Sequence, residues 1–430
     1  MDAVDGIKDG NHVTLLKNGG ELFPALINSI DAAKFEVRIE TYIFRDDRSG
    51  TAIATYIFHG DRSGAAIADA LKRAVKRGVA SRVLIDGFGS HETNPNFFIG
   101  LRAAGVTVLV FRPDYRWLSL RRAHLRRTHR KIAIIDARIA FVGGINLIDD
   151  FTNSLSEFPR YDYAVQVEGP VLANIYHSNE RLWKLVSWWS VRKLGAKAEI
   201  RRWLRRPQEE ITLAKAQRAA LINAAKLHQH DGQAGGMRAQ FLARDNFRNR
   251  RQIEDAYLEA IISARKKILI VNAYFLPGRG FRRELRAAAA RGVEVTLLLQ
   301  GRADHALLQM ATRALYEQML GAGIIIYEYE KSMLHCKIAT IDDQWSTVGS
   351  SNLDPFSLFL NREANIVVQD EAFARQLSTS VFSEIKDGAR QFDPADWQRR
   401  PLTERIKNWL AYGFARVATG WVGVKSDWLG

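Results

Sequence analysis

The sequence has little of what a secreted or membrane-spanning protein needs. Cys336 is the single cysteine among 430 residues, so no internal disulfide can form and a reducing compartment is expected. No apolar run reaches the length of a membrane span, and the N-terminus lacks the charged and apolar regions of a signal peptide. These absences favour a cytosolic or peripheral protein.

Negative charge is also in short supply. The chain has 62 Lys and Arg against 47 Asp and Glu, which gives a net charge of +15. Such a balance favours a polyanionic partner, either nucleic acid or an anionic membrane, although a basic surface kept for solubility gives the same count. The hydrophobic content of 47% is enough for a sizeable core and excludes a disordered chain.

Strands alternate with helices along the chain, and the order repeats once. The first series contains "KFEVRIETYIF", "ALKRAVKRGV", "ASRVLIDGFGS" and "VTVLVFRP", and the second contains "KKILIVNAYFLPG", "RRELRAAAARGV", "EVTLLLQG" and "GIIIYEYE". This alternation predicts an α/β fold. The repetition predicts two similar α/β/α sandwich halves related by a pseudo-twofold axis, with the active site at their interface.

The predicted domain boundaries follow composition. Residues 1–205 form the first half, and a polar stretch at 206–240 that contains "DGQAGG" is the linker. Residues 241–400 form the second half. Residues 401–430 form an amphipathic C-terminal segment expected to touch a membrane.

One spacing of histidine, lysine and aspartate occurs in both halves: His129, Lys131 and Asp136, then His335, Lys337 and Asp342. Residues two apart on a strand share a face, so each histidine should point the same way as its lysine. A turn of small residues and an amide follow each copy at equal offsets, which adds Asn146 and Asn352. A single copy is a weak signal, but two copies at matching positions indicate an active site.

These residue types suit phosphodiester cleavage through a covalent step. One neutral imidazole can attack phosphorus, while a second, protonated imidazole gives the leaving oxygen its proton. The two lysines and the two asparagines would hold the non-bridging oxygens, where charge builds in the transition state. No metal and no cofactor is implied, because lysines beside the histidines would repel a cation.

The paired motifs resemble those of the phospholipase D superfamily. The likeness runs from "LLKNGGELFPAL" through "HRKIAIIDARIAFVGGIN" and "NAYFLPG" to "TVGSSNLDPFSLFLNREANI". The chain looks most like the bacterial cardiolipin synthases of the short type without N-terminal transmembrane helices. The resemblance implies a two-lobed fold, a phosphatidyl-histidine intermediate and transfer of the phosphatidyl group to an alcohol without metal.

The resemblance also implies residue roles. Asp162 in "RYDYAV" and Glu363 in "NREANI" are expected to orient the two histidines through the far ring nitrogen. His129 is expected to be the nucleophile and His335 the general acid, although the near-symmetry of the motifs leaves the reverse open. The two motif aspartates, Asp136 and Asp342, are expected to brace the loop after each motif strand.

Three segments combine aromatic or apolar residues with basic ones: Arg181 to Pro207, Tyr115 to Arg127, and the C-terminal segment. The last of these places an apolar stripe on one helical face, formed by Ile406, Trp409, Leu410, Phe414, Val417 and Trp421. Such segments predict contact with an anionic phospholipid membrane at its cytoplasmic face. The alternative is that these faces pack on the protein's own core or on another subunit.

Two function classes follow. The first is a membrane-surface phosphatidyltransferase that joins two phosphatidylglycerol molecules into cardiolipin and releases glycerol. The second is a hydrolase or nuclease of the same superfamily, in which the positive charge would follow a phosphate backbone. The Trp-rich amphipathic segments favour lipid over nucleic acid, and two intact motifs argue against a non-catalytic binding module.

A tandem duplication has no counterpart in the second half. "TYIFRDDRSGTAIA" (Thr41 to Ala54) is followed at once by "TYIFHGDRSGAAIA" (Thr55 to Ala68). One copy is surplus to the α/β unit, so Thr41 to Phe44 should finish a strand and the next helix should begin near Ser63 or Gly64. Arg45 to Phe58 should then form a loop, unless the second "TYIF" pairs as an added edge strand.

Overall fold

The computed structural model describes residues 6–46, 64–113, 126–151, 158–193, 236–245, 249–302 and 305–421. The first half consists of β1 (Lys8–Lys17), α1 (Asn18–Ala32), β2 (Glu36–Thr41), α2 (Gly64–Lys76), β3 (Ala80–Asp86), α3 (Pro95–Ala103), β4 (Thr107–Phe111), β5 (Ile132–Ile135), β6 (Ile139–Gly143), β7 (Tyr163–Glu168) and α4 (Leu172–Lys193).

The second half consists of β8 (Met237–Arg244), α5 (Gln252–Ser263), β9 (Lys267–Asn272), α6 (Arg279–Ala290), β10 (Glu294–Gln300), α7 (Ala306–Arg313), α8 (Tyr316–Leu320), β11 (Ile325–Tyr329), β12 (Lys337–Ile341), β13 (Trp345–Gly349), α9 (Pro355–Phe359), β14 (Glu363–Gln369) and α10 (Glu371–Gly388). Three elements follow it: β15 (Ala389–Gln391), α11 (Pro394–Gln398) and α12 (Leu402–Trp421). None of the helices in the described ranges is both long and apolar enough to cross a membrane.

The strand order shows the internal symmetry. From the outer edge inward, the first half runs β4-β3-β2-β5-β6-β7-β1 and the second runs β11-β10-β9-β12-β13-β14-β8. The inner strands β1 and β8 pair antiparallel, which joins the halves into one 15-stranded sheet with β15 added at one edge. The predicted α/β fold of two similar halves is therefore confirmed.

Local sequence explains the matching helices. Helix α2 buries Ile67, Ala70, Leu71 and Ala74, the spacing of one helical face. It is followed by Gly78 at φ 88°, and Gly292 at φ 85° stands at the same point after α6. This left-handed conformation is strained for residues with a side chain, so glycine ends both helices before the next strand.

Three large apolar clusters form the core, and one of them joins the two halves. One lies under α1 and α2 in the first half, and one lies under α5, α6 and α7 in the second. The third contains residues of both halves, including Ile132 and Ile134 from β5 with Cys336 and Ile338 beside and within β12. The apolar residues that alternate with the motif lysines thus build the contact between the halves.

The duplicated segment agrees with the predicted helix start but not with the predicted strand end. Helix α2 begins at Gly64, whereas β2 ends at Thr41 instead of Phe44. Phe44 is fully buried and forms a single bridge with Leu147 beyond the sheet. Residues 47–63, which hold most of the predicted loop, lie outside the described residues.

The end of the predicted linker belongs to the sheet. Strand β8 starts at Met237, inside the 206–240 range, because Met237 pairs with Asn11 of β1 and residues 238–244 pair with β14. Residues 206–235, the rest of the predicted linker, lie outside the described residues. The same is true of residues 194–207 of the predicted segment Arg181 to Pro207 and of residues 115–125 of the predicted segment Tyr115 to Arg127.

Candidate active site

The two motif histidines meet where the halves join. The ring centroids of His129 and His335 are 6.4 Å apart. Each histidine precedes a central strand, and its backbone N–H donates to a carbonyl of the opposite half: His129 to Arg362 at 2.9 Å, and His335 to Tyr161 at 2.8 Å. The position of each ring therefore depends on the docking of the two halves.

Each histidine is held by a carboxylate from the other half. Nδ1 of His129 is 3.1 Å from Oε2 of Glu363, and Nδ1 of His335 is 2.6 Å from Oδ2 of Asp162. Both carboxylates are buried. With Nδ1 occupied in this way, Nε2 is the nitrogen of each ring that remains to meet a substrate.

The motif lysines lie beside the histidines. Nζ of Lys131 donates to the backbone oxygen of His129 at 2.7 Å, and Nζ of Lys337 donates to that of His335. Burial lowers the pKa of Lys131 to about 7 and also lowers the pKa of Lys337, because the ammonium groups lose their hydration. A bound phosphate diester would favour the charged form of both lysines.

The pKa of both histidines is lowered. At His129 the main causes are burial and the positive charge of Lys131, which Glu363 partly offsets. At His335 burial, Lys337, Lys131 and Arg160 act together, and its pKa lies well below the usual value. In the free site both imidazoles are therefore neutral near pH 7. Burial raises the pKa of Asp162 to about 6, so this carboxylate is charged at neutral pH and protonates in mild acid.

Asn146 and Asn352 are both buried near the motif strands, but their side-chain oxygens differ in hydrogen bonding. Oδ1 of Asn146 accepts from the backbone N–H of Ile43 at 3.3 Å. Oδ1 of Asn352 is buried and has no hydrogen-bond partner among the described residues. A buried acceptor without a donor costs free energy, so Oδ1 of Asn352 would accept from a donor of an incoming group, and its Nδ2 is the atom that could donate to a phosphate oxygen.

Asp136 and Asp342 lie away from the histidines. Each follows its motif strand, about 20 Å along the chain from the histidine before it. The carboxylate of Asp136 accepts from the backbone N–H groups of residues 34–36, and that of Asp342 from those of residues 265–267. Both therefore brace the loop before the neighbouring strand, β2 or β9, and not the loop after their own. The contacts are structural, and neither aspartate touches the reacting groups.

The same aspartates also start tight turns. Asp136 and Ala137 have φ values of 49° and 45°, and Asp342 and Asp343 both have 54°. Two successive left-handed residues fit a two-residue hairpin of the twist that favours antiparallel strands. Aspartate tolerates this conformation better than most residues.

Four residues near the site were not predicted from the sequence. Tyr42 packs edge-on against His129 at 4.9 Å, and Oγ of Ser350 donates to Oε2 of Glu363 at 2.6 Å. Asp86 accepts from the N–H of Thr128 at 2.9 Å, and Gln300 accepts from that of Leu334 at 3.2 Å. Asp86 and Gln300 end the equivalent strands β3 and β10, a correspondence that aligning the two repeats could have shown.

The fold and this pair of histidines define a class of proteins, the phospholipase D superfamily. A family model described as cardiolipin synthase, PLD-like domain, matches residues 26–170 and 257–385, one stretch in each half. The chain therefore belongs to the cardiolipin synthase family of that superfamily.

Individual relatives agree with this assignment. The chain is 36% identical to cardiolipin synthase B of Salmonella typhimurium over 97% of its length and 91% of the relative. It is 34% identical to cardiolipin synthase B of Escherichia coli over 96% of its length and 91% of the relative. The crystal structure of phosphatidylserine synthase from Haemophilus influenzae shares the fold at a TM-score of 0.62 with 13% identity, covering 97% of both chains.

Proposed function

We propose that this protein joins two phosphatidylglycerol molecules into cardiolipin and releases glycerol, through a phosphatidyl-histidine intermediate. The observation that carries the proposal is the pair of histidines 6.4 Å apart, each hydrogen-bonded at Nδ1 to a carboxylate of the other half. The names of the relatives support cardiolipin as the product.

In the first step, Nε2 of His129 attacks the phosphorus of the donor lipid. The bond from phosphorus to the oxygen of the headgroup glycerol breaks, and His335 gives that oxygen its proton. Lys131, Lys337 and Asn352 hold the non-bridging oxygens. In the second step, the hydroxyl of an acceptor phosphatidylglycerol gives its proton to His335 and attacks phosphorus, and the bond from phosphorus to nitrogen breaks.

His335 must be protonated to act as the general acid, and the phosphate of the bound substrate would raise its pKa. In the free site, the greater lowering of the pKa of His335 would suit the reverse roles, because the nucleophile must be neutral. The cations that lower its pKa are Lys337, Lys131 and Arg160, and a phosphate diester between them offsets their charge. Substrate binding would therefore raise the pKa of His335 and equip it as the acid, in agreement with the roles that the family suggests.

We further propose that α12 lies on the cytoplasmic face of an anionic membrane. Trp409, Leu410 and Phe414 are 54%, 68% and 62% exposed, while Ala411 and Tyr412 of the same helix are buried against the second half. An apolar stripe left outside on a packed helix fits an interfacial lipid contact. Trp188 and Trp189 of α4 are exposed as well, and the net charge of +15 favours anionic headgroups.

Incubation of the purified protein with vesicles of labelled phosphatidylglycerol tests the reaction. We expect cardiolipin and free glycerol in equal amounts, with little phosphatidic acid. Phosphatidic acid as the main product would identify a hydrolase instead. A parallel assay of vesicle co-sedimentation against DNA mobility shift, both at physiological salt, separates the lipid enzyme from the nuclease alternative.

A further inference from the structure

The two histidines have different charges around them, although the halves repeat each other. We define the arginine cluster as Arg112, Arg126, Arg127 and Arg362, which lie beside His129. Arg126 and Arg127 come three and two residues before His129, and Arg362 comes one residue before Glu363. The equivalent positions around His335 hold Ser332, Met333 and Tyr161. Arg112, directly after β4, corresponds to Glu330 after β11.

Backbone contacts place this cluster at the active site. The N–H of Arg362 donates to the oxygen of Arg127 at 2.8 Å, and the oxygen of Arg362 accepts from the N–H of His129 at 2.9 Å. A guanidinium nitrogen of Arg127 lies 3.5 Å from the oxygen of Arg112. All four arginines are partly exposed. They therefore flank His129 at a place that solvent and ligands reach.

The positive charge of the cluster is only partly balanced within the described residues. Arg127 lies 3.9 Å from Asp86. No carboxylate in the described part of the chain lies within 4.0 Å of the guanidinium groups of Arg112, Arg126 or Arg362. Nε of Arg126 is buried and has no hydrogen-bond partner there.

Neighbouring groups leave the local balance positive. Asp86, Glu40 and Asp245 are the carboxylates that act on the cluster, while Arg130 and Arg244 add two more guanidinium groups. Burial and the charges of Arg126, Arg127 and Arg362 lower the pKa of Arg112 to about 10. Crowded like charges destabilise the free protein, so the arrangement is favourable only when an anion is bound.

On the His335 side, cations are matched more closely by carboxylates. Lys331 lies 3.9 Å from Glu384, which also pairs with Lys17 at 2.7 Å. Burial raises the pKa of Asp150 to about 7, so this carboxyl group only partly offsets the charge of Arg160 nearby. Among the described residues, the uncompensated arginines are thus found on one side of the site only.

We infer that the arginine cluster binds the phosphate of the acceptor lipid, a second anionic site beside the one that holds the reacting phosphate. This inference rests on the proposed function, because only a transferase with a phosphate-bearing acceptor needs it. In the second step the acceptor hydroxyl must reach phosphorus while its own phosphate lies one glycerol unit away. Arginine donates two parallel hydrogen bonds to phosphate and suits this task better than lysine.

Such a site would favour phosphatidylglycerol over acceptors that carry no phosphate, such as glycerol and water. Glycerol is released in the first step, so by microscopic reversibility it can also accept the phosphatidyl group, and it carries no phosphate. The transfer to glycerol and the transfer to phosphatidylglycerol share the donor step and the intermediate. Only the acceptor phosphatidylglycerol carries a phosphate that the arginine cluster would hold.

The test compares these two acceptors in one assay. Vesicles of phosphatidylglycerol diluted with phosphatidylcholine are incubated with labelled glycerol, and both labelled phosphatidylglycerol and cardiolipin are measured. Arg126→Gln and Arg362→Gln should lower cardiolipin formation relative to glycerol exchange by about tenfold to a hundredfold. The matched control is Arg138→Gln, an exposed arginine in the turn at the far end of β5, which should leave the ratio unchanged.

A second arm separates phosphate recognition from lipid recognition. Soluble glycerol phosphate is added to the same vesicles and competes with labelled glycerol for the phosphatidyl group. The wild-type protein should prefer glycerol phosphate, and Arg126→Gln should lose that preference. Vesicle co-sedimentation of the variants should match that of the wild-type protein.

Three results would overturn the inference. Equal loss of cardiolipin formation and glycerol exchange would assign the cluster to the donor or to the fold, and no change in either would remove it from the site. Loss of vesicle binding in proportion to activity would make it a general membrane contact. Failure of the proposed function would look different, because the wild-type protein would then make no cardiolipin at all.

Discussion

The two halves supply the same reacting groups but surround them differently. Directly after β2 the first half has Tyr42 against His129, whereas the second has Ala273 directly after β9. A carboxylate, Asp86, holds the backbone before His129, and an amide, Gln300, does so before His335. Two imidazoles in unequal fields can hold different protonation states, which acid-base catalysis requires. The residues common to both halves supply the reacting groups, and the residues that differ give the two histidines different environments and therefore different roles.

The largest effect should come from removing either histidine. His129→Ala and His335→Ala should each lower turnover by at least about a thousandfold, because neither can take the role of the other. Thin-layer separation of labelled lipids measures turnover, and circular dichroism checks that the fold is kept.

The same variants show which histidine is the nucleophile and which is the general acid. In His335→Ala a slowly formed phosphatidyl adduct should appear on His129 by mass spectrometry. An adduct on His335 in the His129→Ala protein would reverse the roles, and full activity in either variant would end the two-histidine mechanism.

Removing the carboxylate from Asp162 should be the next largest effect. Asp162→Asn should reduce turnover by about a hundredfold, since His335 loses the charge that would stabilise its protonated form. Glu363→Gln should cost less, because the backbone oxygen of Ser350 also lies 3.1 Å from Nδ1 of His129. Equal losses in the two variants would contradict this ranking.

Asp162 also predicts opposite pH trends for activity and stability. Its pKa is raised to about 6, so activity should fall as pH drops through 6. Because the folded pKa lies above the ordinary value of 3.8, this residue stabilises the fold most below about pH 4, and the contribution is lost as pH rises through 6. Denaturant unfolding of the wild-type protein and Asp162→Asn between pH 4 and 7 should show the difference, up to about 2 kcal/mol.

One pair of equivalent positions allows a direct exchange between halves. A Cβ on Gly144 would lie 2.4 Å from Oδ1 of Asp162, whereas the second half has Ser350 at that point, bonded to Glu363. Gly144→Ala should push Asp162 away from His335 and lower turnover about tenfold or more, whereas Ser350→Gly should cost about tenfold or less. Turnover measurements on both variants give the comparison. Normal activity in Gly144→Ala would mean that Asp162 can move without loss.

The apolar stripe of α12 follows the second repeat and should affect membrane binding alone. Trp409→Ser, Leu410→Ser and Phe414→Ser together should weaken vesicle binding about tenfold, and added salt should weaken it further. Cleavage of a soluble short-chain substrate and the melting temperature should stay close to wild type, because these side chains are exposed. A large drop in melting temperature would show that the stripe packs on protein.

The smallest effect should come from deleting one copy of the tandem duplication. Removal of residues 45–58 makes the first half resemble the second, and His59 then follows Phe44. The melting temperature should hardly change, because loop closure depends weakly on length and the lost Arg45–Glu92 ion pair is partly exposed. The expected difference in unfolding free energy is about 1 kcal/mol. An insoluble or inactive product would show that the extra copy has become part of the fold.

The sequence was sufficient for the features that repeat. The two histidines, the two lysines and the order of strands and helices could be predicted because two copies of one pattern support each other. Asp162 and Glu363 came from the family resemblance, but their crosswise pairing could not be predicted, since it depends on how the halves dock. The backbone partners of Asp136 and the strand end at Thr41 depend on tertiary contacts, which the hydrophobic periodicity of the sequence does not show.

The crosswise pairing has a consequence for how the active site comes into being. A half that folded by itself would contain a histidine whose carboxylate is on the other half, and a carboxylate without its histidine. Partial folding of the chain thus yields no partly active enzyme, and an exposed imidazole in an isolated half would not be tuned for attack on lipid phosphate. The same geometry implies that two separately expressed halves, once docked, would regain both pairs together or neither.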